Sequence, residues 1–109
     1  MKIKLGVAPD SWGIWFPSDP KQMPWQRCFD EMAQVGFKWV ELGPYGYLPT
    51  DPAVVRAELA ARRLTPVAQA IDEFALENAD NWHKIETTIS ASGELLAAVG
   101  AEQFILIDA

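Results

Sequence analysis

The stretch Pro24-Trp25-Gln26-Arg27-Cys28-Phe29-Asp30-Glu31-Met32-Ala33-Gln34-Val35-Gly36-Phe37-Lys38-Trp39-Val40-Glu41-Leu42-Gly43-Pro44 contains the change of period that decides the fold class. Trp25, Cys28, Phe29, Met32 and Ala33 recur at helical spacing, the mark of an amphipathic helix packed on one side. Pro24 at the first helical position and Gly36 at the close are helix start and stop residues. Two residues later comes a short apolar run, Trp39-Val40-Glu41-Leu42, halted by Gly43-Pro44, with the length and flanks of a strand.

Working outward, the same alternation recurs. Ile3, Leu5 and Val7 alternate with Lys4, Gly6 and Ala8, which predicts a strand over residues 3–8 closed by Pro9. Asp51-Pro52 opens a second helix as N-cap and first residue, with Val55 and Leu59 on its apolar face and Arg62-Arg63 complementing its C-terminal dipole. A glycine is missing at its end. A third strand is expected over residues 65–71, with Pro66 tolerable near its opening. Trp82, Ile85, Ile89, Leu96 and Val99 form the stripe of a third helix stopped by Gly100, and Gln103-Phe104-Ile105-Leu106-Ile107 is a fourth strand rich in β-branched and aromatic side chains. The order βαβαβαβ predicts a parallel sheet covered by helices, with right-handed crossovers. No linker divides residues 1–109, so a single domain of four strands and three helices is expected.

Composition sets the outer limits. The chain has 109 residues, 50% hydrophobic and 22% charged, enough to bury a core of its own. Its net charge of −6 opposes binding to phosphate backbones and anionic membrane surfaces. No apolar run reaches the ~20 residues of a membrane span, and the opening residues lack the apolar stretch of a signal peptide. The expectation is a soluble, cytoplasmic protein with neither nucleic acid nor membrane as partner. Cys28 is the only cysteine, which excludes an intrachain disulfide and a cysteine-based zinc site. The length leaves room for about four β/α units and no more.

The connections place the chemistry. Those that follow helices have two or three residues, whereas those that follow strands run over residues 9–23, 43–50 and 72–80. Long loops on one rim point to function at the C-terminal ends of the strands. They carry Trp12, Trp15, Phe16, Tyr45, Tyr47 and Phe74, and aromatic faces beside carboxylates suit a sugar or polyol. The same rings can equally cap the rim or fill gaps under the loops. Trp12 and Tyr45 are the preferred candidates because each lies close to a strand end.

Four acids, Asp10, Glu41, Asp72 and Asp108, follow the strand ends at intervals of 31, 31 and 36 residues, one β/α unit per repeat. Alternation sorts them. If Val40 and Leu42 pack under helices, Glu41 points to the barrel interior with Trp39; if Leu5 and Val7 face the helices, Gly6, Ala8 and Asp10 lie inside; Phe104, Leu106 and Asp108 share one face. The candidate substrate-binding residues are therefore Trp12, Glu41, Tyr45, Asp10 and Asp108, with Asp72 or Glu73 behind them. No catalytic residue is assigned. His83, alone in the chain, reads as a surface residue at a helix start, and Cys28 as core. No nucleophile elbow occurs, and Gly43-Pro44-Tyr45-Gly46 lacks the spacing and lysine of a phosphate loop.

Leu5-Gly6-Val7-Ala8-Pro9-Asp10-Ser11-Trp12-Gly13, Phe29-Asp30-Glu31-Met32 before Gly36-Phe37, and Val40-Glu41-Leu42-Gly43-Pro44-Tyr45-Gly46-Tyr47-Leu48-Pro49-Thr50 together resemble the start of a sugar phosphate isomerase/epimerase. These are xylose isomerase-like TIM barrels, and the resemblance is nearest to the inosose dehydratase-like branch. It covers most of residues 3–67 and the last strand with Ile107-Asp108-Ala109, and with 109 residues against the ~250 of a complete barrel it implies the N-terminal half of a TIM barrel. The resemblance implies a (β/α)₈ barrel of carbohydrate metabolism that binds a divalent metal (Mn, Co, Zn or Mg) at its C-terminal rim. Such a barrel abstracts a proton next to a carbonyl, with the metal as Lewis acid and a carboxylate as base. Trp12 and Glu41 match its pocket-lining positions. The family's Glu, Asp, His, Glu ligands come from the second half of the barrel, so no metal is expected to be held by this chain alone. After the third strand, where relatives carry histidine, Gln69-Ala70-Ile71-Asp72-Glu73-Phe74 has none. Arg63 stands where a helix-ending glycine is common.

Two functions follow. One is the N-terminal part of a metal-dependent sugar or polyol (phosphate) isomerase, epimerase or dehydratase, inactive by itself. The other is a non-catalytic half-barrel that self-associates through its open sheet edges as a binding or assembly module.

Overall fold

In a computed structural model describing residues 2–109, four strands and three helices alternate along the chain. β1 (Gly6–Val7) leads through a 3₁₀ turn (Pro9–Trp12) to α1 (Trp25–Val35), and β2 (Trp39–Pro44) leads to α2 (Pro52–Ala61). β3 (Thr65–Phe74) continues through a second 3₁₀ turn (Ala79–Asn81) to α3 (Trp82–Val99), and β4 (Gln103–Asp108) follows. All three pairings are parallel and the strand order is β1-β2-β3-β4. Each crossover steps to the next strand in the same direction, so right-handed connections put every helix on one face. A doubly wound sheet would instead reverse its order at a switch point. Since β1 and β4 are the ends of the sheet, the result is an open, half-barrel-like β/α architecture.

The core lies between that sheet and the helices. Cys28, Phe29 and Met32 of α1, Val40 and Leu42 of β2, Val55 and Leu59 of α2, and Leu95 and Leu96 of α3 form one buried cluster. Each such large apolar side chain contributes ~1.5–3 kcal/mol on burial. Val40 and Leu42 have no exposed surface at all, so β2 presents Trp39 and Glu41 to the concave side, as alternation requires. One buried polar pair crosses the same layer: the Ser92 hydroxyl of α3 donates to Gln69 Oε1 of β3 at 2.7 Å. The termini of the helices follow their sequence signals in part. Asp51 caps α2 by accepting the Ala53 N–H at 2.9 Å, and Gly36 (φ 103°) and Gly100 (φ 80°) end α1 and α3 in the left-handed region. At the end of α2 that conformation falls to Arg63, with φ 57°.

Several boundaries differ from expectation. The first strand pairs only at Gly6 and Val7 rather than over residues 3–8, because β2 is its sole neighbour and their ladder begins at Gly6↔Trp39. Leu5, expected to face the helices, is 69% exposed: it precedes the ladder and no helix covers it. Pro24 is the N-cap of α1 rather than its first helical residue, its carbonyl accepting the Cys28 N–H at 3.2 Å. β3 runs on to Phe74 because β4 stays beside it, Phe74 being level with Asp108.

Candidate functional site

At the C-terminal ends of the strands the concave face opens into a cleft of about 470 Å³. Glu41 enters it from β2, Asp72 from β3 and Asp10 from the 3₁₀ turn after β1. Gly43 brings that turn close: a side chain there would approach the Pro9 ring to 2.9 Å, and its φ of 80° suits glycine. Trp15 and Phe16 form one wall, and Ile105 and Ile107 of β4 the other.

The aromatic wall is held by a single side chain. Gln22 Oε1 accepts the N–H groups of Trp15 (2.8 Å) and Phe16 (3.0 Å), while its Nε2 donates to the Phe16 carbonyl (2.9 Å). Three bonds from one amide fix the backbone that carries both rings, which are themselves 58% and 56% exposed.

No lysine, arginine or histidine lines the cleft, so no cationic side chain there offsets the burial of its carboxyl groups. Desolvation pushes the Glu41 carboxyl up from the ordinary glutamate range, and the charges of Asp10 and Asp72 push it further. Desolvation also raises Asp72. Glu73 is raised by desolvation and by Asp72. Glu41 is thus the group of the cleft best suited to keep a proton and to donate it in a hydrogen bond. Rings for C–H faces beside carboxyl groups for hydroxyls make a surface chemically suited to a polyhydroxylated ligand.

The structure brings Asp10 and Glu41 together in this cleft and adds Asp72. It places the other candidates elsewhere. Trp12 packs on the core, and its indole N–H donates to Glu31 Oε2 at 2.8 Å. Tyr45 also packs on the core, and its backbone N–H donates to the Ala70 carbonyl at 2.9 Å. Asp108 shares the helix-facing side of β4 with Phe104 and accepts the Leu76 N–H at 2.8 Å, fastening the segment after β3. Sequence reasoning passed over Ile105 and Ile107, although the alternation that grouped Phe104 with Leu106 already sets these two on the opposite side. It named Trp15 and Phe16 but ranked them below the rings nearer the strand ends; the signal it lacked was Gln22.

His83 is exposed at the start of α3, and Cys28 is fully buried with its thiol pushed up to about 11, chiefly by desolvation. Among the described residues no three His, Cys, Asp or Glu side chains come together in an arrangement that could hold a metal ion. Also among the described residues, no helix is long and apolar enough to cross a membrane.

Fold and cleft together define a partial (β/α) barrel: a parallel sheet with helices on one face, open at both edges, with an acidic, aromatic-walled cleft at its C-terminal rim. No protein-family model matches the chain, and no curated protein matches it.

Proposed function

We propose that the chain is a half-barrel module that self-associates through the open edges of its sheet. The observation that carries this reading is the state of those edges. β1 and β4 each have a single strand neighbour, and apolar side chains stand in water beside both: Ile3 (86% exposed) and Leu5 next to β1, Leu106 (38%) and Ile107 (45%) on β4. An unpaired strand edge with apolar flanks is a template for association. Sedimentation velocity of the chain over a range of concentrations tests the reading. Growth toward twice the chain mass is expected, and a single monomeric species throughout would sink it.

A second reading is favoured by the cleft. A half-buried carboxyl raised above its ordinary range, flanked by two further carboxylates and two rings, suits the pocket wall of a metal-dependent sugar or polyol (phosphate) isomerase, epimerase or dehydratase. On this reading Glu41, whose carboxyl binds a proton more tightly than an ordinary glutamate, is the group that takes and returns one, Asp10 and Asp72 accept hydroxyl hydrogen bonds, and Trp15 and Phe16 exclude water. Catalysis would require further residues to hold the metal. Titration of the chain with sugar phosphates and inositols, followed by tryptophan fluorescence, should give a saturable change that Glu41→Ala abolishes. Turnover of such compounds by this chain alone, dependent on an added divalent cation, would contradict the view that it supplies only the wall.

A further inference from the structure

The two open edges carry opposite charge. Beside β1 the exposed charged residues are Lys2 and Lys4, and the first acid in the chain is Asp10, beyond the strand. Beside and on β4 they are Glu102 and Asp108, both exposed, with no lysine or arginine between Gly100 and Ala109. Pairing β1 with β1 would set lysines against lysines, and β4 with β4 acids against acids. Only β4 against β1 brings an acidic edge to a basic one, an attraction between edges rather than a facing ion pair, since alternation puts the lysines and the acids on opposite faces of the sheet. We propose that β4 of one copy pairs in parallel with β1 of a second copy, and that two such pairings close an eight-stranded barrel. This rests on the self-association reading and specifies its partner surface and register.

The ladders within the sheet fix that register. Gly6 and Val7 are level with Trp39 and Val40, Glu41 with Ala68, and Ala68 with Gln103, the β2–β3 ladder stepping by one residue between Val40 and Glu41; carrying the β1 ladder one residue on, past that step, sets Ala8 level with Glu41 and hence with Gln103. A closed barrel of this type has a shear of ~8 residues, or about four for each half. Gln103 then falls beside residue 12 or residue 4 of the second copy. The first choice puts Gly6 of that copy beside Ala97, which lies within α3, and is excluded. The second puts Gln103 beside Lys4, Phe104 beside Leu5, Ile105 beside Gly6, Leu106 beside Val7 and Ile107 beside Ala8.

Side-chain alternation checks this independently, since a slip of one residue would turn every side chain to the wrong face. Ile105 borders the concave side together with Gly6 and Ala8, whereas Phe104 and Val7 both pack toward the helices. Leu5 and Leu106, the apolar residues exposed at opposite edges, become neighbours on the same face. A head-to-tail contact that closes after two copies gives cyclic twofold symmetry, and both rim clefts then open into one mouth.

The test uses the full chain with Lys4→Cys and Gln103→Cys together. These positions lie on opposite edges of one copy, so a bond between them is intermolecular, and adjacent strands at ~4.8 Å are within disulfide reach. Oxidation is expected to give a covalent dimer, while Lys4→Cys with Ile107→Cys, four residues out of register, gives none. Separately, Lys2→Glu/Lys4→Glu and Glu102→Lys should each weaken homodimerisation about two- to fivefold, most clearly at low salt, and mixing the two variants should restore it as a heterodimer. A wild-type dimer that resists the cross-link, or a mixture that stays monomeric, overturns the edge pairing and leaves self-association standing. A chain that is monomeric at every concentration overturns both.

Discussion

Removing the Ser92 hydroxyl should destabilise the protein far more than removing both members of the pair it belongs to. Ser92 has no exposed surface and Gln69 is 1% exposed, and their bond of 2.7 Å ties α3 to β3. In Ser92→Ala the Gln69 oxygen stays buried without that donor, which costs ~1–3 kcal/mol. In Gln69→Leu the stranded group is a serine hydroxyl within a helix, where it can turn back to the Thr88 carbonyl one turn earlier, so the cost falls to ~0.5–1 kcal/mol. In the double variant both partners are apolar and of similar shape, and the net change is near zero. Urea unfolding at one fixed protein concentration measures all three; with a slope of ~1–1.5 kcal/mol/M for a domain of this size, the Ser92→Ala midpoint drops by about 0.7–3 M. A loss below ~0.5 kcal/mol in Ser92→Ala, or a double variant whose loss is the sum of the two singles, would refute the reasoning.

Three further outcomes are expected. Arg63→Gly should raise stability by about 0.5–1 kcal/mol, because relief of a left-handed side chain (~1–2 kcal/mol) exceeds the added freedom of glycine when unfolded (~0.5–1 kcal/mol); a fall in the thermal midpoint would contradict it. Glu41 has a folded-state value raised above the ordinary 4.5, so the folded protein binds the proton more tightly, and stability falls as pH rises from about that value through the folded one. Glu41→Gln should remove this fall and be the more stable form at neutral pH, while a stability profile parallel to wild type would show that Glu41 ionises freely. Cys28, buried with its thiol raised to about 11, should resist iodoacetamide at pH 8 and react at once in urea; rapid alkylation of the folded chain would disprove that burial.

The element order was legible because period and punctuation agreed at each boundary. The stripe from Trp25 to Ala33, the stop at Gly36 and the run from Trp39 are local signals, and they correspond to α1 and β2. Parity in β2 was equally readable, since two fully apolar positions alternate with Trp39 and Glu41. What failed was local pattern at an edge. Ile3 and Leu5 alternate like strand residues, but a strand exists only where a neighbour accepts its ladder, and the β2 ladder begins at Gly6. For the candidate site, Glu41 and Asp10 could be placed from alternation alone. The rings could not, because Trp12 is turned away by a bond to Glu31, nineteen residues along the chain, and Trp15 and Phe16 are presented by a glutamine that the sequence does not mark.

Because the strand order equals the chain order, every sheet contact joins consecutive β/α units, and no unit waits for a distant one. Each ladder joins residues 26 to 35 apart, so every pairing must close a loop of about one β/α unit before it forms, and the units behave as a row of nearest neighbours rather than one indivisible block. β1, joined to the row by two ladder positions, is then the member that detaches first. Its amides should be the earliest in the sheet to exchange with solvent, while β2 and β3, flanked on both sides, hold out longest.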